Sequence, residues 1–444
     1  MVLPRFFPPL LPILPLALLL AASAQAQSLS ALVDEARGYD AAWQSAQAQL
    51  QAATSRAGVA RAGLLPSAGL SAGVSSAHNE VTRPALNLTT PNQNVSLVAS
   101  QPLYRPANRI ASEQGQRGVD AAQAQLDAAR QDLLVRVSQA YFDVLAAQDT
   151  LAFVQAQKAA VGEQFKAAQR NFDVGNTTIT DTREAQARHD LVSAQEIAAQ
   201  NDLHVKRLAL DQIVGRTGAQ PLPLAQPVQL PGLAPNDVGA WVNLSQDQQP
   251  LVRQAAVALD IAQLETRKAE AGHLPTVDLQ AGYAVNHNPN GTPLAPRMNQ
   301  RTTVTSVGVA LNVPLFAGFA VQNRVKETLA LEDKARADLE SARRTTAQNT
   351  RAAFFGVQSG QNQVKALEAA EASSQSALEA NQMGYQVGVR INIDVLNAQS
   401  QLYQTKRDLA QARYNVLLGT LRLRQAAGTL SQDDIQAVDA LLAR

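Results

Sequence analysis

Hydrophobic and polar positions follow two periods in this chain, and both periods appear in each half. Ala68, Leu70, Ala72 and Val74 alternate with Ser67, Gly69, Ser71, Gly73 and Ser75, a period of two that predicts a strand with one apolar and one small, polar face. Val95, Leu97 and Ala99 alternate with Ser96 and Ser100, although Val98 breaks the rule. The second half sets Val277, Leu279, Ala281, Tyr283 and Val285 against Thr276, Asp278, Gln280, Gly282 and Ala284, then Val307, Val309, Leu311 and Val313 against Ser306, Gly308, Ala310 and Asn312. Strands are therefore expected at about 67–75, 95–103, 276–285 and 303–313, each long enough to cross a bilayer when tilted. The segments His78 to Asn94 and Asn286 to Arg301 are polar and turn-rich and read as loops,.

The second period is that of a supercoiled helix. Beyond Pro106 no proline interrupts the chain up to Asn171, and a helix over 105–171 would be about 100 Å long at 1.5 Å per residue,. Its apolar register is a heptad: Leu126, Leu133, Val137, Ala140, Val144, Ala147, Leu151, Val154, Val161, Phe165, Ala168 and Phe172, with Arg130 and Lys158 as exceptions. Such a register predicts helices wound on neighbours rather than packed on a globule. A matching helix over 318–384 carries Leu339, Thr346, Thr350, Ala353, Val357, Gly360, Val364, Leu367, Ser374, Leu378, Asn381 and Tyr385. This second register is more polar, as a face turned to water or a weaker packing would be. Shorter helices are expected from Leu29 to Gly63, Thr180 to Gly215, Pro250 to Gly272 and Asn392 to Gly428, with short ones near Val238 to Leu244 and Gln432 to Leu442.

The two halves share more than a period. Ala62-Gly63-Leu64-Leu65-Pro66 recurs as Ala271-Gly272-His273-Leu274-Pro275, and Phe172-Asp173-Val174-Gly175 recurs as Tyr385-Gln386-Val387-Gly388. The expected organisation is an internal duplication: a leader over 1–26, a first repeat over 27–215, a proline-rich connector over 216–248, a second repeat over 249–428 and a tail over 429–444. The leader reads as a signal peptide, with Arg5, an apolar run from Leu10 to Ala22 and an Ala24-Gln25-Ala26 cleavage site,. The protein is thus expected to be exported. Four strands cannot close a barrel, and an open sheet in lipid leaves edge amides unsatisfied. A shared barrel, and so an obligate oligomer, is expected.

Composition then removes alternatives. With no cysteine there is no disulfide, thiolate metal site or cysteine nucleophile, and a net charge of +1 gives nucleic acid nothing to bind,. The five histidines have no ligand spacing, no phosphate loop occurs, and Gly69-Leu70-Ser71-Ala72-Gly73 mimics a nucleophile elbow only inside an alternating strand,. No catalytic site, metal or cofactor is expected. An exported coiled-coil stalk or adhesin remains the alternative reading, distinguished by the membrane-spanning length of the strands.

The turns that end the long helices carry the remaining signal. Gly175 and Gly388 are placed as left-handed stops,. Asp181 and Asp394 follow within a few residues and open the returning helices; Thr180-Asp181 with Glu184 reads as a capping box,. Carboxylates at hairpin ends set around an axis would also form an ion-selecting ring. The segment from Tyr385 through Gly388, Arg390 and Asp394 to Asn397 resembles the tip signature of the TolC-type outer-membrane efflux and secretion ducts. Asn171 to Gly175 with Ile179-Thr180-Asp181 is similar to its counterpart in the first half. The resemblance covers essentially the whole mature chain.

It implies a mainly α fold with transmembrane β: a homotrimer with a shared twelve-stranded barrel in the outer membrane of a Gram-negative bacterium, above a long coiled-coil tunnel in the periplasm. It implies a passive, gated exit duct for tripartite efflux or type I secretion, working with a periplasmic adaptor (membrane-fusion) protein and an inner-membrane pump. Carried over by position, Tyr385 and Arg390 would hold the gate through Thr180 and Asp181, and Asp394 would line the constriction. A second aspartate of the family's pattern is here Asn397, so one acidic ring is neutral.

Overall fold

The computed structural model describes residues 27–83 and 85–443; the expected leader lies outside them. In chain order the elements are α1 (Leu29–Tyr39), α2 (Ala41–Ala62), β1 (Ser67–Thr82), β2 (Ala85–Tyr104), α3 (Pro106–Asp173), α4 (Ile179–Val214), α5 (Val238–Gln248), α6 (Pro250–Glu270), β3 (Thr276–Asn288), β4 (Gly291–Thr292), β5 (Ala295–Pro296), β6 (Gln300–Asn312), α7 (Ala320–Gln386), α8 (Asn392–Ala426) and α9 (Gln432–Asp439). The order helix, hairpin, very long helix, returning helix thus occurs twice. None of the described helices is long and apolar enough to cross a membrane.

The strands form one antiparallel sheet in the order β1-β2-β3-β6. Its register sorts the sequence alternation into two faces. Leu70, Leu97 and Tyr283 share one row, and Ala68, Ala99, Ala281 and Val307 the next. The opposite face carries Ser71 against Ser96, their hydroxyls 2.7 Å apart, with Gly73, Asn94, Asn286 and Thr302 in one row. The two edge strands, β1 and β6, are exposed on both faces nearly throughout.

The first hairpin runs further than the alternation predicts. The expected loop from His78 to Asn94 is mostly ladder, because backbone pairing needs no apolar side chains. Polar cross-strand bonds continue it, His78 to Thr89 at 3.1 Å and Asn79 to Thr90 at 2.9 Å. The expected loop from Asn286 to Arg301 likewise contains the short β4–β5 ladder.

Where the sheet meets the long helices, Arg105 grips Asp278 with two parallel bonds of 2.7 Å, Nε to Oδ1 and Nη2 to Oδ2. This fork geometry is the strong form of a charged hydrogen bond, and it fixes the angle at which α3 leaves β2. Below it, Glu265 of α6 accepts from Gln114 of α3 at 2.9 Å, Lys268 at 2.6 Å and Arg324 of α7 at 2.7 Å. Burial opposes ionisation of Glu265, but the bonds from Lys268, Gln114 and Arg324 outweigh it and hold the carboxyl down to about 2.

The main core lies around the middle of α3. Leu133, Leu134, Val137, Tyr141, Phe142, Val144 and Leu145 of α3 pack with Leu29, Leu32 and Val33 of α1, Leu210 of α4, Leu417 and Leu421 of α8 and Ile435 of α9. Each such side chain contributes about 1.5–3 kcal/mol when fully buried. The connector is tied in by backbone bonds on both sides, Leu222 N–H to Gln27 at 3.1 Å and Ala443 N–H to Pro223 at 2.8 Å. Tyr141 adds bonds from its hydroxyl to the carbonyls of Gln27 and Leu222, and burial keeps this phenol neutral by raising its pKa.

Two further expectations need correcting. The helix read as continuous from Leu29 to Gly63 breaks at Asp40, whose carboxylate caps α2 through the Trp43 N–H at 2.7 Å and pairs with Arg136 at 2.9 Å. A side chain that satisfies the next helix's free amides competes with helical continuation. In the second long helix, Thr346 and Thr350 are buried rather than turned to water. The Thr350 hydroxyl donates back to the Thr346 carbonyl at 2.8 Å, so a polar residue fills a heptad position without an unpaired group,.

The Glu265 cluster makes a pH prediction. A depressed carboxyl contributes stability that is complete above its ordinary value of 4.5 and is lost as pH falls toward about 2,. Glu265→Gln should therefore lower the thermal midpoint at pH 7, at a cost of about 1 kcal/mol for a partly exposed cluster. The gap from wild type should close between pH 4.5 and 2, as followed by circular dichroism in detergent.

Candidate functional site

The two long helices end in the same turn. After α3, the Gly175 N–H bonds the Phe172 carbonyl at 2.9 Å and the Asn176 N–H bonds Asn171 at 2.8 Å. After α7, the Gly388 N–H bonds Tyr385 at 3.1 Å and the Val389 N–H bonds Gly384 at 2.9 Å. Both glycines sit at φ +78°. This pair of bonds is the Schellman arrangement, and the left-handed residue it requires is costly for any side chain.

The returning helices start differently. At α4 the capping box is Thr178 with Asp181, not Thr180 with Glu184: the Thr178 hydroxyl accepts from the Asp181 N–H at 3.3 Å, and the Thr178 N–H donates to Asp181 Oδ2 at 3.4 Å. The Thr177 and Thr178 hydroxyls also donate to that carboxylate. Thr180 is exposed one residue inside the helix. At α8 the N-cap is Ile391 and no side chain caps the first turn. Asp394 instead lies 3.6 Å from Arg390, a partly exposed pair.

The expected gate residues divide between the hairpins. Tyr385, like Ala398, packs against the cluster of Leu378, Val395 and Leu402 within the α7/α8 hairpin. Arg390, Asp394 and Asn397 line one groove on that hairpin, together with Ser373, Ser374 and Asn381. Within the chain, neither Tyr385 nor Arg390 bonds to Thr180 or Asp181. Arg390 pairs with Asp394, and Asp181 is occupied by its own turn. The described residues contain no cluster of histidine and carboxylate side chains that could hold a metal.

Contacts between the hairpins near the tip involve two residues without an expected role, Arg188 and Leu396, alongside Asn397, which was expected at the constriction. Arg188 of α4 donates to Asn397 of α8 at 3.0 Å, and Leu396 of α8, fully buried, inserts among Val161, Phe165, Ala168 and Ala185 of the α3/α4 hairpin. Leu396 fell inside the resembling segment without a role. Arg188 had no signal, because its partner lies in the other repeat. Exposed apolar side chains cover the turns themselves: Val174 and Ile179 on the first, Met383, Val387, Val389 and Ile391 on the second.

The chain matches the family described as Outer membrane efflux protein over residues 32–216 and again over 241–429. It is 33% identical to Outer membrane protein TolC of Vibrio cholerae over 421 residues, covering 95% of each chain. It is 31% identical to the Proteases secretion protein PrtF of Dickeya chrysanthemi, covering 94% of this chain and 92% of the relative. Its fold is similar to the crystal structure of the outer membrane protein VceC of Vibrio cholerae, with a TM-score of 0.78 at 20% identity, covering 90% of this chain and 96% of that one.

The turn chemistry is open to test. Thr178→Ala should fray the start of α4 at a cost of about 1 kcal/mol, whereas Thr180→Ala should cost a few tenths. Gly388→Ala should cost about 1 kcal/mol through its left-handed backbone. Hydrogen exchange of the amides at 181–186 and 384–390, measured on each variant, should rank them in that way.

Proposed function

This chain belongs to the outer membrane efflux protein family and is an exit duct for efflux or secretion in the Gram-negative outer membrane, and from that premise we propose that it works as a homotrimer gated at its periplasmic tip. The observation that carries the proposal is the sheet: four strands with both edge strands, β1 and β6, uncovered. Pairing β6 of one copy with β1 of the next satisfies every edge amide once the ring closes on three copies, giving a barrel of twelve strands. The face bearing Leu70, Leu97, Tyr283 and Val307 then meets lipid, and the face bearing Ser71, Ser96, Asn94 and Thr302 lines the lumen. The repeated order of elements supports an origin by duplication, each half supplying two strands and one helical hairpin.

Below the barrel, α3 and α7 carry the tunnel about 100 Å across the periplasm,. Passage is passive, without catalysis, and an inner-membrane pump supplies the energy. The exposed apolar turns offer a surface for a periplasmic adaptor. In the trimer, Tyr385 and Arg390 reach Thr180 and Asp181 of a neighbouring hairpin and tie the tip closed. Charge-assisted bonds of this kind are strong singly and few in number, so a partner that prefers the open tip can release them. Asp394 forms a ring of carboxylates at the constriction. Asn397 leaves the next ring neutral, so cations bind the tip only weakly.

Single-channel conductance in a planar bilayer tests the duct and its gate together. The wild type should give a low-conductance pore from a trimer. Tyr385→Phe combined with Arg390→Ser should raise the conductance several-fold, in line with the loss of two charged or hydroxyl bonds per copy. A folded oligomer without a pore would mean a stalk rather than a duct, and an equally open pore in both proteins would discard these gate residues.

A further inference from the structure

We propose that Leu396, Arg188 and Asn397 form a latch, separate from Tyr385 and Arg390, that holds the α7/α8 hairpin shut against α3/α4. The proposal rests on the reading above that the tip opens. It starts from how unevenly α8 is held. In its upper half Leu409, Ala412, Tyr414, Val416, Leu417, Leu418, Leu421 and Leu423 are all buried. There α8 also bonds α3 directly, Arg422 to Gln139 at 2.7 Å and Tyr414 to Asp149 at 2.7 Å. Toward the tip the contacts across to α3/α4 thin to Arg407 with Gln157 at 3.1 Å, the Arg188–Asn397 bond at 3.0 Å and the seated Leu396. A hairpin fixed above and held at its foot by one apolar knob and one hydrogen bond has a defined place to let go.

Adjacent residues divide the work. Val395 is buried within its own hairpin, with Leu378 and Leu402, while Leu396 is buried in the other hairpin. The two side chains point about 100° apart on the helix, so α8 is clamped from two directions at one level. Releasing Leu396 costs burial but leaves the α7/α8 hairpin itself intact.

The same face carries groups that burial leaves unsatisfied. Asn392 is 2% exposed, and neither atom of its amide has a hydrogen-bond partner among the described residues. Gln399, 3% exposed, has no partner for Oε1. Asn392, Leu396 and Gln399 follow the i, i+4, i+7 spacing of one helix face. Buried polar groups without partners destabilise the closed packing, and water would bond them once the hairpin swings out. The apolar knob and the unbonded amides therefore pull in opposite directions, which is what a two-state element needs.

Arg188 spends its charge on a neutral amide. A carboxylate at 397 would turn that bond into a charge-assisted pair and close the latch harder. This gives a prediction of sign that a merely structural role does not share. On the full mature protein in planar bilayers, Arg188→Ala and Leu396→Ala should each raise the open-state occupancy about tenfold, adding to Tyr385→Phe with Arg390→Ser. Asn397→Asp should lower it below wild type only while Arg188 is present. In the Arg188→Ala background the same change should leave occupancy unmoved, whereas an added ring of carboxylates would act in both backgrounds. If the Asn397→Asp variant conducts as wild type does, or better, while the Tyr385 and Arg390 pair still opens the pore, the latch is wrong and the gate stands. If none of the variants changes conductance, gate and latch fall together. Asn397→Asp nearly preserves volume on an exposed site, so it decides the matter even where Leu396→Ala fails to fold.

Discussion

The outer edges of β1 and β6 present rows of backbone N–H and C=O groups, and in hydrocarbon there is no water to bond them,. Nothing else among the described residues covers those edges. Both edge strands are also exposed on their two faces nearly throughout, whereas β2 and β3 between them are half-buried at many positions. In the proposed trimer the sheet's stability as a membrane element comes from identical neighbours and from lipid. The remainder of the fold can be read as the means of holding such a sheet in place: the Arg105–Asp278 fork sets its angle, and the Glu265 cluster ties together the three helices beneath it.

Burial is graded along the helices. It is dense around Tyr141, Phe142 and Tyr414, where the N-terminal helix, the connector and α9 wrap the long helices. It becomes sparse toward the tip, where small clusters around Leu396 and Leu378 replace a continuous core. Such a gradient lets one chain be rigid at the middle and yielding at one end, since local opening is easiest where buried apolar contacts are few. The polar residues follow the same logic. Deep in the tunnel, Thr350 satisfies its hydroxyl on its own helix, whereas near the tip Asn392 does not satisfy its amide.

Much of this was legible in the sequence because the two periods are strong. Alternation placed the four strands and their faces, and the heptads placed the long helices. The limits of that reading are physical. Alternation stops where side chains no longer need sorting, yet backbone pairing continued through His78 and Asn79 on polar partners. The capping box was expected at Thr180-Asp181 with Glu184, and only the backbone geometry sets it at Thr178 with Asp181. The Asp40 break had a competent capping residue and no periodic signature. Arg188 and Asn397 meet across two repeats, and pairings between distant helices leave no mark in local spacing.

One further tie concerns the order in which the chain is made. The first two amides of α1, at Leu29 and Ser30, bond the carboxylate of Asp439, 410 and 409 residues later. Leu222 and Ala225 are pinned in turn to Gln27 and Leu441. The waist of the molecule is therefore a clasp whose two halves are translated and exported at opposite ends of synthesis. Until residues 432–443 reach the periplasm, α1 has no acceptor for its leading amides and the connector has a neighbour on one side only. A polypeptide emerging from the export machinery would carry this waist unfastened, with the core around Leu29, Leu32 and Val33 still lacking Ile435 and Val438 until the final segment arrives.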